Sequence, residues 1–138
     1  LELTTFDAFD QYWVERGWDA RGPIKTQCRI DTPAGLSRLG RGQVAVAGVA
    51  WAQTRGITGV EVSVDDGPFQ PATLADAYDD VTWRQWVYSW DTSDLAPGRH
   101  DIVARATDGT GETQAEERQP PFPNGAEGWQ RLVVTLDA

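Results

Sequence analysis

From residue 24 onward the chain alternates apolar and polar residues with a period of two, the spacing of a strand with one face on a core. Ile57 to Asp65 is the clearest case: Val60, Val62 and Val64 point one way and Glu61, Ser63 and Asp65 the other. Trp83 to Trp90 alternates likewise, with Trp86, Tyr88 and Trp90 on one face and Trp83 and Val87 opposite. Arg99 to Thr107 places Ile102, Ala104 and Ala106 together, and Trp129 to Leu136 places Leu132, Val134 and Leu136 together. Gln43 to Ala52 is apolar on both faces, which predicts a central strand buried on both sides. Ile24 to Ile30 is a short extended run closed by Asp31-Thr32-Pro33, and Phe69 to Leu74 reads as the return strand of a hairpin. The turn of that hairpin is Asp65-Asp66-Gly67, where glycine supplies a positive φ. Pro97-Gly98 and Asp108-Gly109-Thr110-Gly111 mark further turns.

These are about seven strands with almost no helical period. Such a chain buries its apolar faces by packing two antiparallel sheets together. The expected fold is all-β, an immunoglobulin-like (E-set type) antiparallel β-sandwich. Trp83 or Trp86 fills the place of the disulfide found in antibody domains. Thr110 to Gln119 reads as a polar, solvated loop.

The first residues differ. Leu3, Phe6, Phe9 and Trp13 recur at helical spacing, Thr5 is a candidate cap, and Gly17 with Arg21-Gly22-Pro23 ends the segment. Residues 1–23 are therefore a linker arm and 24–138 the sandwich. The arm's aromatics need a surface, either its own domain or a neighbouring molecule. No methionine occurs and the chain starts at Leu1, as expected of a processed product or a piece of something larger.

Composition narrows the chemistry. With 138 residues there is room for one domain. A formal charge of −9 argues against a nucleic-acid or anionic-membrane partner. One cysteine and one histidine exclude an internal disulfide and a multi-histidine metal site. His100 is the one candidate base, but no serine lies in a glycine-flanked elbow, so it reads as a strand-edge histidine. Cys28 reads as a small half-buried residue, Lys25 and Arg29 being its only nearby cations in sequence. Asp76, Asp79 and Asp80 lack the spacing of a calcium loop and read as a solvated connection. Gly109 and Gly111 lead into Glu112 rather than a lysine and a helix, which is a turn and no phosphate cradle. The stripe Trp86, Tyr88, Trp90 has three readings: core, protein interface, or a platform for sugar rings.

The segments GVAWAQTRGITGVEVSVDDGPFQPATL (Gly48 to Leu74), WRQWVYSWD (Trp83 to Asp91), GRHDIVARATDGTGETQ (Gly98 to Gln114) and PPFPNGAEGWQRLVVTL (Pro120 to Leu136) together resemble the C-terminal dimerisation domain of sulfite oxidase-type molybdenum oxidoreductases. The resemblance runs from Ile24 to Leu136. It implies a parent whose catalytic domain carries the molybdenum–molybdopterin cofactor, followed by an immunoglobulin-like domain that makes homodimer contacts. The present chain is then that second domain, non-catalytic and without a cofactor of its own. Its partners are its own catalytic domain and a second copy, with no direct membrane contact, although relatives are often exported or membrane-attached. The arm, especially YWVERGWDARGPIKTQ, resembles the seam between the two domains. Cys28 lies in the seam strand and is not the metal ligand. Trp86, Tyr88, Trp90, Pro121, Asn124 and Trp129 are the candidate interface or substrate-entrance residues. The loop Asn124-Gly125-Ala126-Glu127-Gly128 has no arginine where some relatives place one, so sulfite does not carry over as the substrate. The competing expectation is a secreted carbohydrate-binding sandwich using Trp86, Tyr88 and Trp90.

Overall fold

The computed structural model describes residues 2–138; Leu1, the first residue of the arm, lies outside them. Among the described residues nine strands form: β1 Gln27–Thr32, β2 Arg38–Leu39, β3 Gln43–Trp51, β4 Ile57–Val64, β5 Gln70–Pro71, β6 Thr73–Leu74, β7 Arg84–Asp91, β8 Gly98–Asp108 and β9 Gln130–Leu136. They build a four-stranded sheet ordered β1-β3-β7-β6 and a five-stranded sheet ordered β2-β9-β8-β4-β5. All pairings are antiparallel except the two-residue β2 on β9. This is the expected immunoglobulin-like sandwich.

The inner faces are those the alternation marks. Cys28, Ile30, Val46, Ala50, Trp86 and Trp90 of the first sheet meet Val60, Val62, Ile102, Ala104, Ala106, Val134 and Leu136 of the second in one buried cluster. Alanines at 50, 104 and 106 leave volume for the two indoles. Trp86 is the tryptophan that does the core packing. Trp83 turns outward, 48% exposed, and stacks on Trp51 at 5.4 Å between ring centres.

Several expectations are corrected. β3 is central, but its outer face is not covered: Ala45 is exposed and Ala47 and Val49 are half-buried, because no second layer lies on that side. The run Phe69 to Leu74 is no single strand. Its first half pairs with β4 and its second with β7, so the chain crosses between sheets at Pro71-Ala72. Proline has no N–H to continue a ladder, and the next N–H, that of Ala72, still donates to the Val60 carbonyl (2.8 Å). In the turn after β4 the positive φ falls on Asp65 (52°) and Asp66 (55°), not on Gly67. The Gly67 N–H closes this turn on the Val64 carbonyl (2.9 Å). β2 was not foreseen, because two residues carry no period. The polar stretch Thr110 to Gln119 is not simply solvated, since Gln114 is buried and its side chain donates to the Gly128 carbonyl (3.0 Å).

The arm does not form the predicted helix. It consists of turns and a single 3-10 turn, Val14–Arg16, ended by Gly17 at φ 91°. Ten residues do not sustain a helix without a surface beneath them, and here Leu3, Phe6, Phe9, Tyr12 and Trp13 are all more than half exposed.

The outer edge of β1 is closed by a side chain. The Gln130 amide accepts from the Ile30 N–H (2.8 Å) and donates to the Ile30 carbonyl (3.4 Å), which keeps that edge from templating another strand. On the other side of β1, a Cβ at Gly48 would collide with the carbonyl oxygen of Arg29. Gly48→Ala must therefore push β1 off β3. We expect a loss of about 3 kcal/mol in urea unfolding, at the upper end of overpacking costs; a loss below about 1 kcal/mol would mean that β1 is not held this closely.

Candidate functional site

Pro121, Asn124 and Trp129 belong to one structure, the loop between β8 and β9. Gln119 and Glu127 exchange backbone hydrogen bonds at its neck (3.2 and 3.3 Å), and the Gly125 N–H donates to the Pro121 carbonyl across its tip (2.7 Å). Pro121 is exposed and Asn124 half-buried. Trp129 anchors the loop. Its Nε1–H donates to the Gln114 carbonyl (2.9 Å) and its ring meets Phe69 edge-on at 5.2 Å. The Arg105 guanidinium covers Phe69 at 3.8 Å and is held by Glu61 (2.9 Å).

The arm docks on this loop. Trp18 sits edge-on to Phe122 at 5.3 Å, and the Asp19 N–H donates to the Pro123 carbonyl (3.1 Å). Lys25 pairs with Glu127 (2.6 Å) and donates to the Gly125 carbonyl (3.1 Å). Between arm and loop lies a cleft of about 420 Å³ lined by Trp18, Asp19, Pro23, Lys25, Pro123 and Asn124, among others. On the other side of the loop an open groove of about 870 Å³ runs past Gln27, Gln119, Trp129 and Gln130. Its rim carries Arg118, whereas Glu127 is already neutralised by Lys25.

The tryptophan stripe is elsewhere. Trp86 and Trp90 are 2% and 4% exposed and Tyr88 is half-buried against the same core. The shared face that the alternation predicts is the inner one, so Trp86 and Trp90 offer no ring face to a sugar or a partner. The proposed platform is corrected on that ground. The exposed apolar residues of this sheet lie on the opposite face, at Val87 and Trp83.

Cys28 is 7% exposed. Burial pushes its thiol up to about 12; the Trp86 indole pulls the other way, and the Asp31 charge adds to the rise. Buried and held protonated, it is a poor nucleophile at neutral pH. Among the described residues no group of three or more His, Cys, Asp or Glu side chains is arranged to hold a metal ion. The residues described offer no fit for a molybdenum cofactor, whose ligand thiolate Cys28 cannot supply. Nor is any described helix long and apolar enough to cross a membrane. Asp79 accepts the Val81 and Thr82 N–H groups (2.9 and 2.8 Å), which makes it a loop-organising carboxylate. His100 is not at a strand edge. It is buried on β8 with Asp65 on one ring nitrogen and the Ala96 carbonyl on the other, so neither nitrogen is free to act as a base.

Sequence reasoning missed the strongest electrostatic feature. Asp108, read as a turn residue, is wholly buried. It accepts hydrogen bonds from the Thr110 N–H and hydroxyl, the Glu112 N–H, the Thr26 hydroxyl and Arg55 Nε. Arg55 also donates to the Ile24 carbonyl (3.0 Å). This junction fixes the entry from the arm, the β3–β4 turn and the β8 exit. Asp108 and Arg55 are 53 residues apart, and neither position carries a local signal of the pairing.

Residues 27–104 match the family model described as a bacterial Ig domain. No curated protein matches. Solved structures share the fold, among them the following two. The sulfane dehydrogenase SoxCD from Paracoccus pantotrophus is 20% identical with a TM-score of 0.60, the match covering 83% of this chain and 33% of that one. The endo-beta-1,4-mannanase from Thermotoga petrophila is 11% identical with a TM-score of 0.55, covering 83% and 20%. The chain thus spans a third or less of the length of these proteins.

Two outcomes check the site. Burial works against ionisation of Asp108, but the Thr110, Thr26 and Arg55 hydrogen bonds outweigh it and hold the carboxyl well below its ordinary 3.8. A depressed pKa contributes stability that is present above the unfolded value and fades as pH falls towards the folded one. Asp108→Asn should cost about 3 kcal/mol at pH 7, the lower end for breaking a buried pair because Arg55 is 27% exposed, and should flatten the loss of stability below pH 3.8. Urea unfolding against pH measures both. Cys28 should resist a thiol reagent in the native protein and react once the chain is unfolded; rapid native labelling would show that the strand opens.

Proposed function

We propose that this chain, which belongs to the bacterial Ig domain family, is the non-catalytic dimerisation domain of a molybdopterin-dependent oxidoreductase of the sulfite oxidase type. Two findings support the reading. Four motifs resemble that family in the right order, and the fold is similar to part of a sulfane dehydrogenase. The likeness to the mannanase is one of fold, and with Trp86 and Trp90 in the core the sugar-platform alternative has lost its residues.

The observation that carries the reading is the outer face of the four-stranded sheet. Register places Ala45 opposite Ser89, Ala47 opposite Val87 and Val49 opposite Gln85. Apart from Gln85 these side chains are small and uncharged, and they make a surface of the kind that a two-fold axis can pair with itself. Trp51 and Trp83, stacked, close one end of it. A stable dimer needs roughly 800 Å² per partner, and the exposed charges that β1 adds to this face, Arg29 and Asp31, are already paired with each other. In such a parent the cofactor supplies two-electron oxygen-atom transfer from another domain. This chain holds two such centres together, its arm is the seam to the catalytic domain, and its Pro120 to Trp129 loop borders the entrance.

Sedimentation tests the dimer. The chain should run at about twice 15.2 kDa, and Val87→Arg, which puts a charge in the middle of the exposed face, should return it to a folded monomer whose unfolding midpoint no longer depends on protein concentration. A strict monomer at high concentration, or a dimer indifferent to Val87→Arg, overturns the assignment of this face. A coding region upstream that lacks a molybdopterin-type domain overturns the parent.

A further inference from the structure

We propose that His100 and Asp65 form a pH-sensitive latch, closed when the imidazole carries a proton on both nitrogens and released when it loses one. The latch joins the turn after β4 to the turn before β8, at the end of the sandwich opposite Asp108.

The argument rests on what each ring nitrogen meets. Nδ1 lies 2.7 Å from Asp65 Oδ2 and Nε2 lies 3.0 Å from the Ala96 carbonyl oxygen. Both partners are acceptors that carry no proton to give. A neutral imidazole has one N–H, so one of the two contacts would set lone pair against lone pair. The ring is buried edge-on to Trp90 at 5.7 Å, whereas both acceptors belong to exposed residues, so the half-exposed Asp65 carboxylate can turn to water once the donor is lost. Only the imidazolium satisfies the site as built.

Asp65 is what the latch controls. Its backbone stands at φ 52° and that of Asp66 at 55°, conformations that cost energy for residues other than glycine and persist where contacts over-determine them. The contacts are visible. Asp65 Oδ1 accepts the Asp101 N–H (2.9 Å), the Asp65 N–H donates to the Asp101 carbonyl (2.9 Å), and Oδ2 takes the His100 proton. The turn leads directly to Phe69, which packs on Trp129, and to the crossing between sheets. A proton on one ring thus bears on the chain path from β4 to the anchor of the β8–β9 loop.

The charged groups around the ring are few. Asp65 faces it from the turn after β4. On β8 itself Asp101 pairs with Arg99 on the outer face, and Asp66 pairs with Arg131 of β9. β7 contributes the Trp90 ring, the β7–β8 turn the Ala96 carbonyl, and Val134 of β9 is the register partner of His100. Burial disfavours the cation, but the hydrogen bonds to Asp65 and Ala96 and the Asp65 charge outweigh it and raise the imidazole above its ordinary 6.5. A raised folded pKa gives stability that is complete below 6.5 and is lost as pH climbs through the folded value. The latch therefore opens on the alkaline side.

The chain has one histidine, so its Cε1–H proton gives a single NMR signal to follow against pH. In the natural sequence the signal should titrate above 6.5, and amide protection at Asp65 to Gly67 should fall in the same interval. Asp65→Asn keeps tolerance for the left-handed turn and an oxygen for the Asp101 N–H, but removes the charge. It should bring the titration back to the ordinary value or lower and flatten the fall of the unfolding midpoint that the natural sequence shows as pH rises above 6.5. A natural-sequence titration at or below 6.5, or protection of the turn that ignores the histidine's protonation, overturns the latch. Neither measurement depends on the identity of a parent enzyme.

Discussion

A wholly buried carboxylate at the C-terminal end of β8 is the constraint on which the architecture turns. Asp108 stays ionised inside the protein because five donors converge on it, one of them a guanidinium. A buried charge without such partners would be untenable, so the donors and the acid hold one another in place. Arg55 comes from the turn between β3 and β4, which links the two sheets, and Thr26 comes from the segment just before β1. The Arg55 carbonyl also packs so close to Gly109 that any side chain there would collide with it. One acid thereby sets the spacing of the two sheets at this end and directs the arm to where it meets the proline loop.

The opposite end of β8 is organised by a weaker version of the same device. There a histidine and an aspartate hold a turn whose backbone would not choose that conformation unaided. Between the two ionic ends the core is plain hydrocarbon and indole. Its stability comes from burying Trp86, Trp90 and the aliphatic residues facing them, each large side chain contributing about 2 kcal/mol or more. This division explains why the candidate functional surfaces are peripheral. The interior is committed to packing and the buried charges to loop geometry. What remains for partners is the outer face of β3 and β7, the exposed aromatics of the arm, and the loop that Trp129 anchors.

The arm and the loop depend on each other. Phe122 has Trp18 against it, Glu127 has Lys25, and the Pro123 carbonyl accepts the Asp19 N–H. The large apolar residues described before Trp18 are not covered in this way. Phe6, Phe9, Tyr12 and Trp13 remain more than half exposed, and the helical spacing of the arm goes unused. A period of 3.6 states which residues share a side if a helix forms, and it supplies no surface for that side to meet.

Alternation, with the apolar run of β3, by itself determined the class of fold and five of the six long strands to within two residues at either end, while Trp83 and Trp86 both stayed open as the tryptophan of the core. It did so because strand period is a local quantity, written within eight or ten residues. It also showed that Trp86, Tyr88 and Trp90 share a face, and left open whether that face is the inner one. Only the tertiary structure decided this, since inside and outside depend on which sheet lies opposite. The split of Phe69 to Leu74 between two sheets, the pairing of β2 with β9, and the meetings of Asp108 with Arg55 and of His100 with Asp65 were decided in the same way. Each joins residues far apart in the chain whose own neighbours predict nothing unusual, and the low dielectric of a packed interior is what turns such a meeting into a strong interaction.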